Sequence, residues 1–213
     1  GLLIAYYLLR REASKPGSAI PVATNDSLLN YVLIGIIAGG RLGYVLFYNA
    51  GYFLTHPLDI FKIWQGGMSF HGGLLGVAIV ALVYALRQKL SLLSTGDLLA
   101  LITAPGLFLG RVANFINAEL WGRETNLPWG VIFPGVEAQT CVEAVTGLCA
   151  RHPSQLYEAL GEGLILGAVL LYLLFRTRAL RRSGLLTGIF LIGYGLTRFM
   201  VEWVRQPDAQ FQT

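Results

Sequence analysis

The chain has 213 residues, of which 54% are hydrophobic and only 13% are charged. Soluble domains carry about 25% charged residues, so this composition excludes an ordinary soluble domain and indicates a membrane protein with several spans. The net charge of +4 does not indicate nucleic-acid binding, because the basic residues cluster in short loops between apolar runs.

Apolar runs along the chain predict the membrane helices. They cover residues 1–9, 28–48, 70–86, 97–117, 156–175 and 184–204. The first run has about half of the roughly 20 residues that a spanning helix needs, so we expect the chain to begin inside a helix. The pattern predicts an all-α fold, a polytopic transmembrane helix bundle of about six hydrophobic segments, forming a single domain over 1–213.

Basic residues mark alternate loops and so predict the orientation of the bundle. Nine of the 16 Lys and Arg residues lie in loops 10–27, 87–96 and 176–183. By the positive-inside rule these three loops are cytoplasmic. Loops 49–69 and 118–155 are then extracytoplasmic, and the longer of them, 118–155, predicts a small head inserted in the bundle.

Both cysteines of the chain, Cys141 and Cys149, lie in this head. Their spacing is not typical of a metal site, and we predict neither a metal nor a cofactor. In an extracytoplasmic loop they can form a local disulfide, and two free thiols are the alternative.

Polar residues interrupt the apolar run that ends near residue 117. An Arg at mid-bilayer costs about 2.5–3.5 kcal/mol and usually faces a protein interior or a wet cavity. Arg111 and Asn114 share one helix face, and Glu119 returns to that face if the helix continues. A helix end at the membrane interface is the alternative, and it explains Trp121 and Arg123 better than it explains Arg111.

A second polar stripe lies on the run 184–204. Tyr194, Arg198 and Glu202 are spaced i, i+4 and i+8, which places them on one side of a helix. A structural Arg–Glu pair is the alternative to a functional role. Two buried arginines on different helices suggest capture of a phosphate ester, because the guanidinium binds phosphate with two hydrogen bonds. Arg41 is a third candidate, unless it is a packing residue paired with a carboxylate.

The remaining candidates are a histidine and two glutamates. His71 lies in the glycine-rich stretch 66–73, which is either an irregular, re-entrant segment or a flexible loop that ends at a helix start. Glu158 and Glu162 fall in the first turns of their helix, where the helix dipole already favours carboxylates, so we predict no further role for Glu162.

These segments together resemble a known family, the bacterial prolipoprotein diacylglyceryl transferases. The resemblance rests on residues 110–122, with further matches at 40–48, 66–73, 151–158 and 194–208, in the expected order. It implies a seven-helix enzyme of the bacterial inner membrane with its active site towards the extracytoplasmic side. Such an enzyme moves the diacylglyceryl group of phosphatidylglycerol to the lipobox cysteine of a prolipoprotein, forming a thioether and releasing glycerol 1-phosphate.

The resemblance also implies a catalytic set within one transmembrane catalytic domain. Its members are His71, Arg111, Asn114, Glu119, Tyr194, Arg198 and Glu202. The family's first helix carries a Tyr upstream of Gly1 and its last helix follows Thr213, so we expect a chain truncated at both ends. The implied partners are phosphatidylglycerol, prolipoprotein signal peptides with a lipobox cysteine, and membrane lipids, with no nucleic acid.

We assign a role to each group on the basis of this chemistry. Arg111 and Arg198 hold the phosphate with a hydrogen bond from Asn114, and Arg41 is a further binding residue for phosphatidylglycerol. His71 accepts the thiol proton. Glu119 and Glu202 orient the arginines, since an unpaired buried Arg is costly.

Two other classes of protein remain open on the sequence. A transporter or lipid-binding membrane protein could use the same arginines to hold an anionic, phosphate-bearing ligand without turnover. A purely structural membrane subunit would leave the stacked polar residues unexplained.

Overall fold

The computed structural model describes residues 2–14, 22–141 and 148–206. Asp208, in the last matched segment, and part of the loop 10–27 lie outside this set. The helices are α1 (Leu2–Ala13), α2 (Val22–Phe47), α3 (Ala50–Thr55), α4 (Phe70–Gln88), α5 (Leu92–Ile116), α6 (Ser154–Glu158), α7 (Leu166–Arg176) and α8 (Leu185–Glu202). Short 3₁₀ turns cover Pro57–Phe61, Ile63–Gln65 and Ala179–Arg181.

Five helical stretches of the described chain are long and apolar enough to cross a membrane. They are Ser27–Phe47, Phe70–Gln88, Leu92–Ile116, Ser154–Arg176 and Leu185–Glu202. Each coincides with a predicted apolar run, and α1 is the short first segment. The described residues contain no β-strand, only isolated bridges. The predicted all-α, polytopic helix bundle is thus confirmed.

The chain divides into two compact units, which we call the N-terminal unit (Tyr6–Leu98) and the C-terminal unit (Gly1–Ala5 and Leu99–Thr213). In the N-terminal unit α2 packs on α4 through glycines at both surfaces. A Cβ atom on Gly39 would lie 2.7 Å from the Gly76 Cα, and one on Gly43 would lie 2.6 Å from the Gly72 Cα. Glycines spaced by four residues let two helix backbones approach closely in a membrane, so here backbone contact replaces side-chain packing.

Arg41 lies on α2 and holds the segment between α3 and α4 against the surface of that helix. The side chain is 6% exposed. Its Nε donates to Ile60 O at 2.8 Å, Nη2 to Asp59 O at 2.6 Å, and Nη1 to Gly66 O at 2.6 Å. The packing interpretation of Arg41 is therefore right about its burial, but its partners are backbone carbonyls and not a carboxylate.

In the C-terminal unit one helix runs from Ser154 to Arg176 and changes its winding on the way. A π-helical segment, Ala159–Ile165, connects α6 to α7. Gly161 and Gly163 lie in this segment, and a Cβ atom on Gly163 would lie 2.6 Å from the Phe108 Cα of α5. A Cβ atom on Gly161 would lie 2.9 Å from the Thr197 Oγ1 of α8. The glycines thus allow this helix to lie close to both α5 and α8.

The head follows α5 and precedes α6. Gly122 and Arg205, Glu124 and Arg151, and Val131 and Arg151 form isolated antiparallel bridges. Cys141 and Cys149 form a disulfide, which is the first of the two alternatives predicted for them.

Candidate active site

Five charged side chains of the C-terminal unit form a chain of alternating sign, which we call the ion-pair chain: Arg111, Glu158, Arg198, Glu202 and Arg205. Arg111 Nε lies 2.9 Å from Glu158 Oε2. The other oxygen of Glu158 accepts a hydrogen bond from Arg198 Nη1. Arg198 Nη2 lies 3.6 Å from Glu202 Oε2, which is 3.9 Å from Arg205 Nη1.

The ion-pair chain lies at the end of the helices from which the head extends. Arg111 is near the end of α5, and Arg198 is near the end of α8. Glu158 is the last residue of α6 and lies in the second turn of the helical stretch Ser154–Arg176. Glu158 is the most buried member of the ion-pair chain, with a side chain 2% exposed, whereas Arg111 is 18% and Arg198 24% exposed. A charged ligand reaching this end of the bundle therefore meets partly exposed arginines held by a buried carboxylate.

Glu162 lies one turn beyond Glu158 and is fully buried. Its nearest recorded cation is Arg111, whose Nε is 3.8 Å from Glu162 Oε2. Among the described residues neither Glu162 oxygen has a hydrogen-bond partner. The prediction that Glu162 has no role beyond the favourable helix dipole is incomplete, because Glu162, like Glu158, lies beside Arg111. The sequence signal that could have identified Glu158 and Glu162 is the presence of two carboxylates, four residues apart, within an apolar run.

Glu119 contacts Asn114 through a turn, and not through the continued helix that the sequence analysis considered. Helix α5 ends at Ile116, and Ala118 and Leu120 both have a φ of 56°, in the left-handed region. Asn114 Nδ2 donates to Glu119 Oε2 at 3.2 Å. Glu119 therefore orients Asn114. Among the described residues, the Glu119 carboxylate forms no ion pair with an arginine.

The start of α6 holds this turn in place. Ser154 Oγ donates to Leu120 O at 3.0 Å, and the amide of the fully buried Gln155 donates to Glu119 O. A left-handed conformation at non-glycine residues costs about 1–2 kcal/mol each, so such a turn persists where its surroundings determine it. The sequence analysis assigned no role to these two residues of segment 151–158.

The remaining predicted residues are distributed over both units. Tyr194 is on α8, one turn before Arg198, and its ring stacks on Phe190 with centroids 5.9 Å apart. His71 and Arg41 belong to the N-terminal unit. His71 is exposed in the first turn of α4, which Ser69 caps by accepting a hydrogen bond from Gly72 N. In segment 66–73, residues 66–69 have no regular secondary structure, and α4 begins at Phe70.

The base of the head is organised by Arg151, which is 3% exposed. It donates to Ala138 O at 2.6 Å and to Thr140 O at 2.9 Å, and its guanidinium carbon lies 4.3 Å from the centre of the Trp121 ring. Burial lowers the pKa of this guanidinium and also that of the neighbouring His152. Because the imidazole pKa falls below its usual 6.5, His152 is neutral at pH 7 and suits a hydrogen-bonding role.

One group of possible metal ligands occurs in the described residues, formed by Glu124 with Cys141 and Cys149. The two sulfur atoms are joined in the disulfide, so they do not offer thiolates to a metal ion.

The chain is similar to one family of known proteins along its whole length. The family model described as prolipoprotein diacylglyceryl transferase matches residues 1–213. A protein of Ruegeria pomeroyi named phosphatidylglycerol–prolipoprotein diacylglyceryl transferase is 58% identical to this chain, over all of this chain and 74% of the relative. Proteins of the same name occur in two other bacteria. The identity is 49% in Methylocella silvestris, over 99% of this chain and 74% of the relative. It is 46% in Nitratidesulfovibrio vulgaris, over 99% and 75%.

Proposed function

Because the chain belongs to the prolipoprotein diacylglyceryl transferase family, we propose that it transfers the diacylglyceryl group of phosphatidylglycerol to a prolipoprotein. The acceptor is the thiol of the lipobox cysteine in the signal peptide. The products are a thioether-linked lipoprotein precursor and glycerol 1-phosphate. The observation that carries this proposal is the pair Arg111 and Arg198, joined by a single buried carboxylate at one end of the helices.

The reaction needs a nucleophilic sulfur and a stabilised leaving group. The thiol sulfur forms a bond to the terminal glycerol carbon of the diacylglyceryl group, and the bond from that carbon to the phosphate oxygen breaks. The electron pair of the broken bond stays on the phosphate, which therefore gains negative charge. Arg111 and Arg198 stabilise this charge in a site poor in water, where preorganised donors have their largest effect.

The thiol must also lose its proton. A thiol with a pKa of about 8.5 is only a few per cent thiolate at pH 7, and nearby cations increase that fraction. His71 is our proposed acceptor, because imidazole titrates close to neutral pH. Asn114, oriented by Glu119, donates a further hydrogen bond to the phosphate.

We further propose that the protein lies in the bacterial inner membrane, with the ion-pair chain towards the extracytoplasmic side. The support is the distribution of basic residues, which are concentrated in loops 87–96 and 176–183. The head, 118–155, is on the opposite side of the membrane from both loops.

A turnover assay tests the proposed reaction. The protein, at the full length of its relatives, is reconstituted in phosphatidylglycerol vesicles with a lipobox peptide, and released glycerol 1-phosphate is measured. We expect release that falls at least about 100-fold in Arg111→Ala, the loss typical of a missing donor to a developing anion. Arg87→Ala is the matched control, since Arg87 bonds the Tyr31 hydroxyl in the N-terminal unit, and it should keep its activity. A folded protein that binds phosphatidylglycerol without release would instead support the transporter or lipid-binding class.

A further inference from the structure

Glu158 contacts both arginines of the proposed phosphate site at once. One carboxylate oxygen faces Arg111 Nε and the other faces Arg198 Nη1. Arg111 is on α5 and Arg198 is on α8, so this single side chain, from a third helix, fixes the separation of two guanidiniums carried by different helices. Without it the two like charges of Arg111 and Arg198 would lie side by side and would repel each other.

The contacts of Glu158 leave most of the guanidinium donors available. Arg111 is bound through Nε, and its two Nη atoms have no recorded partner in the described part of the chain. Arg198 is bound through Nη1 and Nη2, which leaves its Nε. An Arg–phosphate contact needs two parallel N–H groups or one from each of two arginines, so a phosphate can bind while Glu158 stays in place.

Neither neighbouring carboxylate can substitute for Glu158. Glu202 is 57% exposed and contacts Arg198 and Arg205. Glu162 is 3.8 Å from Arg111 and makes no hydrogen bond to it. Of the described residues, Glu158 is the one whose ion pairs include both Arg111 and Arg198.

We propose that Glu158 is a positioning residue that holds Arg111 and Arg198 at the spacing required for the phosphate of the reacting lipid. This inference rests on the proposed transfer reaction and adds to it a residue that touches neither the lipid nor the thiol. Its effect is on the transition state, because misplacement of a catalytic group by about 1 Å can cost about 100-fold in rate.

Glu158→Gln is the first test, with Glu162→Gln as the matched variant one turn along the same helix. The Gln amide can accept from one guanidinium only and turns an N–H towards the other. We expect kcat to fall about 100-fold with the KM for phosphatidylglycerol within about threefold, because positioning affects the reacting state more than binding. Glu162→Gln should lose much less. A folded Glu158→Gln variant with near-normal kcat, or with its loss confined to KM, would overturn the inference.

Glu158→Asp covers the case in which the Gln variant fails to fold. It keeps the charge, but its shorter side chain cannot reach both arginines. We expect the variant to fold, with a small loss of thermal stability from the one arginine that loses its partner, and to show a large loss of kcat. A normal kcat in this variant would show that charge alone is needed and would contradict a positioning role.

A measurement without turnover separates this inference from the proposed function. Phenylglyoxal modifies guanidiniums, and mass spectrometry reports the rate at each arginine. Both Arg111 and Arg198 should react several-fold faster in folded Glu158→Gln than in wild type, and unchanged rates would refute the bridging role even if the enzyme is active. If the rates change but the wild type releases no glycerol 1-phosphate, the proposed reaction fails and the bridge between the arginines stands.

Discussion

At the scale of single residues, the buried and partly buried arginines of this protein have two kinds of partner, carboxylates and backbone carbonyls. Arg111 and Arg198 are held by carboxylates and keep guanidinium donors available. Arg41 and Arg151 bond backbone carbonyls of the segments around them. The planar guanidinium suits this second task because its five donors point in fixed directions, whereas a lysine ammonium is a single compact charge. Such arginines connect segments that lack regular hydrogen bonding.

Arg41→Lys tests the structural role of Arg41. Lysine keeps the charge but cannot reach the carbonyls of Asp59, Ile60 and Gly66 together, so partly buried acceptors lose their partners. We expect the free energy of unfolding to fall by about 1–3 kcal/mol, since a lost hydrogen bond to a charged group costs about 1.5–3 kcal/mol. Thermal unfolding in detergent measures this, with Arg87→Lys as control. A variant of normal stability with a raised KM for phosphatidylglycerol would favour the lipid-binding role that the sequence predicted.

At the scale of helices, the π-helical segment Ala159–Ile165 explains how three helices converge. Such segments are rare in proteins and often occur at functional sites. Here it directly follows Glu158, and its glycines allow contact with α5 on one side and α8 on the other. The close approach of the backbones brings the carboxylate within reach of both arginines, which lie on those two helices.

Gly163→Ala and Gly167→Ala form a matched pair that tests this close approach. A methyl group on Gly163 would lie 2.6 Å from the Phe108 Cα, whereas one on Gly167 would lie at an ordinary 3.5 Å from the Ala104 Cβ. We expect Gly163→Ala to lower the free energy of unfolding by about 1–3 kcal/mol and to reduce turnover. Gly167→Ala should be neutral or stabilising by up to about 1 kcal/mol, because alanine is the better helix former. Equal behaviour of the two variants would show that α5 and the π-helical segment are not in tight contact.

At the scale of the whole molecule, the distribution of basic residues supports the proposed orientation of the helices. Arg176 ends α7, and Arg178, Arg181 and Arg182 lie between α7 and α8, away from the end that carries the head. Positive charges near the ends of membrane helices are retained in the cytoplasm. The disulfide of the head agrees with an extracytoplasmic position, since oxidising compartments permit such bonds.

Single-cysteine labelling tests this orientation. In a Cys141→Ser, Cys149→Ser background, Val136→Cys places a thiol at a head position that is 89% exposed. A membrane-impermeant maleimide should label it in intact spheroplasts. The control, Arg182→Cys, should be labelled only after the membrane is permeabilised. The reverse pattern would invert the proposed topology and place the ion-pair chain in the cytoplasm.

The sequence predicted the helices well because membrane insertion depends on local apolar length, which a single chain displays directly. It also identified Arg111 and Arg198, whose cost in a bilayer draws attention to them. It missed Glu158 because a carboxylate in a first helical turn has a sufficient local explanation, while its partners are 47 and 40 residues away. The sequence predicted the end of α5 to within one residue, but it did not predict the left-handed turn that follows, because that turn uses Ala118 and Leu120, which are not typical turn residues.

The alternating order of the ion-pair chain has a consequence for genetics. Loss of Glu158 leaves Arg111 and Arg198 as two neighbouring positive charges, and a second mutation that removes one of them restores the original net charge of the ion-pair chain. Selection for folded protein, for example through a fluorescent fusion, should therefore recover changes at Arg111 or Arg198 as suppressors of a Glu158 defect. Selection for growth should never recover them, because the suppressed protein has lost a phosphate ligand. Where the two selections disagree, they separate the residues that the fold needs from those that the reaction needs.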